Sequence, residues 1–119
     1  MFRNLLRSKI HRATVTDSNL EYEGSITIDS HLLDKAKMAE FELVQVVNLN
    51  NGARFETYII SGEAGSGMIQ INGAAARLVH PGDKIIAMAY GLAAEEDLQD
   101  WKPTIVLVDD ENQVKEILC

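Results

Sequence analysis

The sequence predicts a small, mainly β barrel with short inserted helices, and three observations carry that prediction. The apolar stretches are short and rich in β-branched residues: ITI at 26–28, ELVQVVNL at 42–49, MIQIN at 68–72, KIIAMAY at 84–90 and PTIVLV at 103–108. Turn signals separate them, namely Asp17-Ser18-Asn19, Asn50-Asn51-Gly52, the glycines at 62, 65 and 67, and Pro81-Gly82-Asp83. No helical segment between them is long enough for the crossovers of a doubly wound sheet. Many short strands with regular turns are the mark of a barrel or sandwich. At 119 residues the chain has enough material for one core, so 1–119 reads as a single domain.

Each element has a local reason. Residues 9–15, KIHRATV, read as a strand. A period of two puts Lys9, His11, Ala13 and Val15 on one face and Ile10, Arg12 and Thr14 on the other. Asp17-Ser18-Asn19 reads as a turn. After the short strand at 26–28, Asp29 or Ser30 can cap a helix through HLLDKAKM that buries Leu32, Leu33 and Ala36. The strand Glu42 to Leu49 runs into Asn50-Asn51-Gly52, whose Asn and Gly accept the positive φ of a tight hairpin. On the return strand, ARFETYIIS, Arg54, Glu56, Tyr58 and Ile60 alternate with Phe55, Thr57 and Ile59. Glycines then interrupt the chain before MIQIN. GAAARLV suits one or two helical turns, and Pro81-Gly82-Asp83 leads into KIIAMAY. AAEEDLQD reads as a short acidic helix, and PTIVLV as the final strand.

Charge narrows the partners. Eleven Lys and Arg stand against eighteen Asp and Glu, a net charge of −7. Such a chain has no overall field for a phosphate backbone, and no nucleic-acid partner is expected. Its apolar runs are too short to span a bilayer, and no membrane partner is expected. The basic start, MFRNLLRSKIHR, interleaves charged with apolar residues, unlike a secretory signal, so the expected location is cytoplasmic. Cys119 is the single cysteine, and His31 and His80 lack partners at ligand spacing, so no metal is expected. Residues 94–111 hold seven acids and only Lys102 as a base, which reads as a solvated surface. Residues 1–12 hold Arg3, Arg7, Lys9 and Arg12 and no acid. They are open to two readings, a patch that attracts a small anionic substrate or side chains paired with acids elsewhere.

Chemistry concentrates at Glu21-Tyr22-Glu23-Gly24-Ser25. A Gly-Ser pair alone is ordinarily a turn. Here it stands in a longer series: Lys9-Ile10-His11-Arg12, Tyr22-Glu23-Gly24-Ser25, Asn51-Gly52 followed by Arg54, Thr57-Tyr58, and Ile71-Asn72-Gly73-Ala74-Ala75-Ala76. Gly82-Asp83 and Trp101-Lys102-Pro103 follow. With these motifs in this order and spacing, nearly the whole chain resembles the pyruvoyl-dependent aspartate 1-decarboxylase family. One departure is visible at Val47, where family members often carry Trp, and the end at Cys119 is short beside some relatives.

The resemblance implies a double-psi β-barrel and a homotetramer with active sites between neighbouring subunits. It implies self-cleavage between Gly24 and Ser25 into residues 1–24 (β chain) and 25–119 (α chain). Decarboxylating an amino acid leaves a carbanion that needs an electron sink, and no standard side chain has an electrophilic carbonyl. The implied cofactor is a pyruvoyl group made from Ser25, with neither pyridoxal phosphate nor a metal. That group forms a Schiff base with L-aspartate, which loses CO2 to give β-alanine for pantothenate and coenzyme A biosynthesis. Gly24, lacking a Cβ, can take a strained conformation and admit close attack by the Ser25 hydroxyl. Thr57 is the implied oxyanion donor during processing and also touches substrate. Tyr58 is the implied proton donor to the carbanion. Arg54 can clamp a carboxylate with its planar fork, and Lys9 adds a second positive charge. Asn72, Gly73, Ala74 and Ala75 are the implied substrate-binding segment, with secondary roles for His11 and Tyr22. A maturation factor is left open as a further partner.

The residues alone also permit plainer roles. Arg54 and Glu56 share a strand face and can pair, Tyr58 can be a core-edge tyrosine, and Asn72-Gly73 can be a strand-ending turn. His11 can be a structural donor. Two other functions compete. A non-enzymatic double-psi barrel acting as a binding or adaptor module would need neither the hydroxyl at 25 nor Arg54. A hydrolase with Ser25 as nucleophile and His11 as base lacks a convincing third triad member.

Overall fold

A computed structural model describes the whole chain, Met1–Cys119. Its nine strands are β1 (Phe2–Thr14), β2 (Asp17–Asn19), β3 (Ser25–Asp29), β4 (Leu43–Asn48), β5 (Arg54–Gly62), β6 (Ile69–Asn72), β7 (Lys84–Ala94), β8 (Thr104–Val108) and β9 (Val114–Leu118). One helix, α1 (Ser30–Ala36), follows β3, and 3₁₀ turns occupy Gly73–Leu78 and Glu95–Asp100. All strands join one sheet in the order β2-β6-β3-β5-β4-β7-β1-β8-β9. The β1·β8, β2·β6 and β3·β5 pairs are parallel and the others antiparallel. The chain leaves β1, third from one edge, and after two residues enters β2 at the opposite edge. On the way the Val15 N–H donates to the Asp83 carbonyl (2.9 Å) and the Thr16 N–H to that of Ile69 (2.8 Å). The sheet must therefore curl strongly, which agrees with the small β-barrel expected.

The mainly β class, the capped helix and the hairpin lie where the sequence puts them. Asp29 caps α1 by accepting the His31 N–H at 2.8 Å, and Leu32, Leu33 and Ala36 are buried. Gly52 holds a φ of 77° in the β4–β5 turn. Other expectations need correction. β1 starts at Phe2, not residue 9, because its first half pairs with residues 90–94 of an extended β7. Register shifts between Leu6 and Ser8 and between His11 and Ala13, with Arg12 at a φ of 64°, break its alternation. Ile10 therefore shares the core with Ala13 and Val15 instead of opposing them. Asp17–Asn19 is a short strand parallel to β6, not merely a turn. PTIVLV is not the final strand: Asn112, at a φ of 61°, turns the chain back into β9. β9 is exposed along most of its length, so it carries no alternating apolar signal.

The basic N-terminal stretch divides between its two readings. Arg3 pairs with Glu95 at 3.1 Å, and Arg7 pairs with Glu42 while donating to the Lys37 carbonyl at 2.6 Å. Lys9 and Arg12 form no ion pair. No helix is long and apolar enough to cross a membrane.

Candidate active site

Alternation on three adjacent strands sorts the side chains into two faces. Ile69 and Ile71 of β6, Ile26 and Ile28 of β3, and Ile59 of β5 point into the core, each at most 1% exposed. Burying an isoleucine is worth about 1.5–3 kcal/mol, so this face fixes the register of all three strands. The opposite parity then carries Gln70 and Asn72, Ser25 and Thr27, and Tyr58 and Ile60. Ser25 stands opposite Asn72, and Thr27 opposite Gln70. Ile26 pairs with Ile59 in the parallel ladder, so the same register places Tyr58 beside Ser25 and Thr57 level with Gly24.

Ser25 is 1% exposed and its hydroxyl is held from two sides. The Asn72 amide Nδ2 donates to Ser25 Oγ at 2.9 Å, and Oγ donates to the Glu23 carbonyl at 3.0 Å. Asn72 Nδ2 also donates to Thr27 Oγ1 at 3.1 Å, while Asn72 Oδ1 accepts from Gln70 Nε2 at 2.7 Å. Beside them opens a cavity of about 350 Å³ lined by Glu21, Tyr22, Glu23, Ser25, Tyr58 and Ile60. A buried hydroxyl thus lies next to a half-buried phenol at the wall of a small open cavity.

The two glycines differ in what they would tolerate. Gly24 is not in the left-handed region, and a Cβ on it would meet nothing within 4 Å. Gly73 is the constrained one. It holds a φ of 75°, and a Cβ on it would lie 2.6 Å from Gly24 Cα and 2.8 Å from Gly24 N. Ala74 is exposed and Ala75 half-buried in the turn that follows.

A second group of predicted residues gathers elsewhere on the same molecule. His11 pairs with Ile86, Ile86 with Val47, and Val47 with Arg54, one row across β1, β7, β4 and β5. Lys9, Met88, Gln45 and Glu56 form the adjacent row. Arg54 is exposed and donates to Gln45 Oε1 at 2.8 Å, not to Glu56. Val47, the departure from the family's Trp, lies between Ile86 and Arg54. His11 is half-buried, and its Nδ1 is buried without a hydrogen-bond partner. Desolvation, and then the charges of Lys9 and Arg12, hold its pKa below the ordinary histidine value. Arg54 and Tyr58 are four residues apart on β5, a rise of about 13 Å. One chain therefore brings together Ser25, Asn72, Gly73, Gly24, Tyr22 and Tyr58, and separately Lys9, His11 and Arg54.

Sequence reasoning passed over Gln70, Thr27 and the Glu23 carbonyl. The first two were within reach. Gln70 is two residues from Asn72, and Thr27 two from Ser25, so strand periodicity already puts each on the same face as its neighbour.

Comparison with known proteins shows the family. The family profile described as Aspartate decarboxylase matches residues 1–115. Proteins named aspartate 1-decarboxylase from Bacillus thuringiensis (strain Al Hakam), Bacillus cereus (strain AH187) and Bacillus anthracis are each 58% identical over 118 residues. Those alignments cover 99% of this chain and 93% of each relative. With the Tyr22-Glu23-Gly24-Ser25 segment and its Asn72 contact inside the matched region, the chain belongs to the aspartate decarboxylase family.

Proposed function

We propose that this chain is an aspartate 1-decarboxylase that makes its catalytic carbonyl from its own Ser25 and works as a homotetramer. The observation that carries the reading is the buried Ser25 hydroxyl, held between Asn72 Nδ2 and the Glu23 carbonyl at the edge of the Tyr58 cavity. A serine serving only as strand filler needs no side-chain amide aimed at its oxygen.

In the proposed maturation, Ser25 Oγ forms a bond to the Gly24 carbonyl carbon while the Gly24–Ser25 C–N bond breaks, giving an ester and a free amine. Loss of the Cα proton then expels Oγ as part of the Gly24 carboxylate and leaves dehydroalanine. Water replaces its nitrogen, releasing ammonia, and the chains 1–24 and 25–119 result. Thr57 is level with Gly24 but shares the parity of Ile59, on the face opposite the Ser25 hydroxyl, so its proposed donation to the oxyanion of the first step requires a local twist of β5. The site fits a pyruvoyl group at residue 25, because the position is buried and faces an amide donor beside an open cavity. Such a group supplies the electron sink for loss of CO2.

The remaining roles belong to side chains. Tyr58 holds a phenolic proton for the carbon that loses CO2. Arg54 offers a fork to a substrate carboxylate, with His11 in the same row and Lys9 in the next. Gly73, Ala74 and Ala75 present backbone to the substrate. L-Aspartate is shorter than the roughly 13 Å between Tyr58 and Arg54 along β5. A neighbouring subunit's Arg54 row is therefore proposed to complete the site beside Ser25, as a tetramer with shared sites requires. The product is β-alanine, a precursor for pantothenate and coenzyme A, and the proposed location is the cytoplasm.

The direct test is the mass of the denatured protein together with a β-alanine assay. The parent should yield two fragments split at residue 24 and form β-alanine from L-aspartate. Ser25→Ala should stay whole at 13.2 kDa and be inactive. A parent that is active while uncleaved, or a Ser25→Ala that cleaves, overturns the reading.

A further inference from the structure

We infer that Gln45, steadied by Tyr90, is a positioning residue for Arg54, holding its fork ready for a substrate carboxylate; the inference rests on the carboxylate-binding role proposed above for Arg54. An arginine at an exposed strand position has several rotatable bonds, and holding it in one place costs entropy. Arg54 is such a residue, and its guanidinium has one hydrogen-bond partner in the chain: Nη1 donates to Gln45 Oε1 at 2.8 Å. The Tyr90 hydroxyl donates to the same oxygen at 3.1 Å. Neither direction is open to exchange. A guanidinium only donates, so the end of the half-buried Gln45 that faces it is the oxygen. An amide oxygen only accepts, so the phenol proton goes to Gln45. Gln45 thus joins Arg54 of β5 to Tyr90 of β7 from β4, the strand between them.

The neutrality of this anchor matters. A carboxylate at position 45 would take both arms of the fork and offset its charge. An amide oxygen takes one N–H and leaves the guanidinium fully charged, with its remaining N–H groups free for a substrate carboxylate. Glu56 is the competitor. It stands directly opposite Gln45 and on the same face of β5 as Arg54, two residues or about 7 Å along the strand. Arg and Glu side chains span that distance, yet the two form no ion pair. Val47, opposite Arg54, is apolar and offers no bond. Gln45 therefore holds the fork toward β4 and keeps it from closing on Glu56.

The test is steady-state kinetics of the matured enzyme on L-aspartate, with KM and kcat read separately. Gln45→Met keeps the length but removes the acceptor, which frees Arg54 to pair with Glu56. KM should rise about five- to tenfold while kcat stays within about twofold, the pattern of lost binding that ground and transition states share. Gln45→Glu should raise KM by more, because the fork is then occupied. Tyr90→Phe keeps the ring and should raise KM about twofold. Glu56→Gln supplies the rescue. Removing the competitor should bring the KM of Gln45→Met most of the way back, yet shift that of the parent by less than about twofold. A side chain that only packs produces no such coupling. The inference is overturned if Gln45→Met and Gln45→Glu keep the parent's KM, or if Glu56→Gln changes KM by the same factor with and without Gln45. It is also overturned if the Gln45 variants lose melting temperature and kcat together, which marks a folding role. An Arg54→Ala enzyme with the parent's KM would instead overturn the carboxylate-binding role of Arg54, and this inference with it.

Discussion

A Cβ added to Gly73 would collide with the backbone of Gly24, whereas one added to Gly24 would enter open space. The conformational demand at the cleavage segment therefore rests on the residue across from it. Gly73 also holds a φ of 75°, where a side chain adds strain of about 1–2 kcal/mol beyond the clash. Gly73→Ala should push the 22–24 segment away from Asn72 and slow cleavage by about tenfold or more, since a displacement near 1 Å can cost a hundredfold. Gly24→Ala should fold and cleave within about threefold of the parent, as its added methyl meets nothing and its backbone needs no left-handed angle. Time courses of the two variants on a denaturing gel decide the matter; equal rates would remove the special role of Gly73.

At the scale of elements, Asp29 links the strand that carries Ser25 to two other pieces of chain. It ends β3, caps α1 through the His31 N–H, and accepts the N–H groups of Gly65 (2.9 Å) and Gly67 (2.8 Å) from the loop before β6. The loop's direction into β6 sets where Gln70 and Asn72 arrive opposite Thr27 and Ser25. Asp29→Ala removes the cap and orphans donors in a buried place, a loss of about 2–4 kcal/mol. Asp29→Asn, which keeps one accepting oxygen, should lose about half as much. Thermal unfolding at one fixed protein concentration measures both, because assembly makes the melting temperature depend on concentration.

For the whole molecule, the separation of the Ser25 group from the Arg54, His11 and Lys9 group makes a prediction about mixtures. Ser25→Ala retains Arg54, and Arg54→Ala retains Ser25. Each alone should be nearly inactive, by about a hundredfold or more if Arg54 clamps the substrate. Co-expression should restore activity to roughly a quarter of the parent, because random assembly pairs an intact Ser25 with an intact Arg54 at that fraction of shared sites. Activity that stays at the sum of the two inactive variants would show that each site is built within one chain.

The amount legible beforehand differs by element. Asn50-Asn51-Gly52, Asp29 before an apolar helix face, and the alternating isoleucines state their structure locally, since hairpin, cap and strand are decided by nearest neighbours. Ser25, Asn72 and Tyr58 were legible as candidates through their motifs. The bulge at Arg12, the short β2 and the exposed β9 were not, because each depends on the partner strand and not on its own periodicity.

The sequence by itself determined a mainly β domain, through residue type and local period, and its family and candidate site residues, through motifs in a fixed order and spacing. Only the tertiary structure decided that Asn72 meets Ser25 with its donating end, and that Gly73 rather than Gly24 bears the steric constraint. These are matters of register between strands distant in sequence. Register is set by the buried isoleucines of all three strands acting together, and no one strand contains that information.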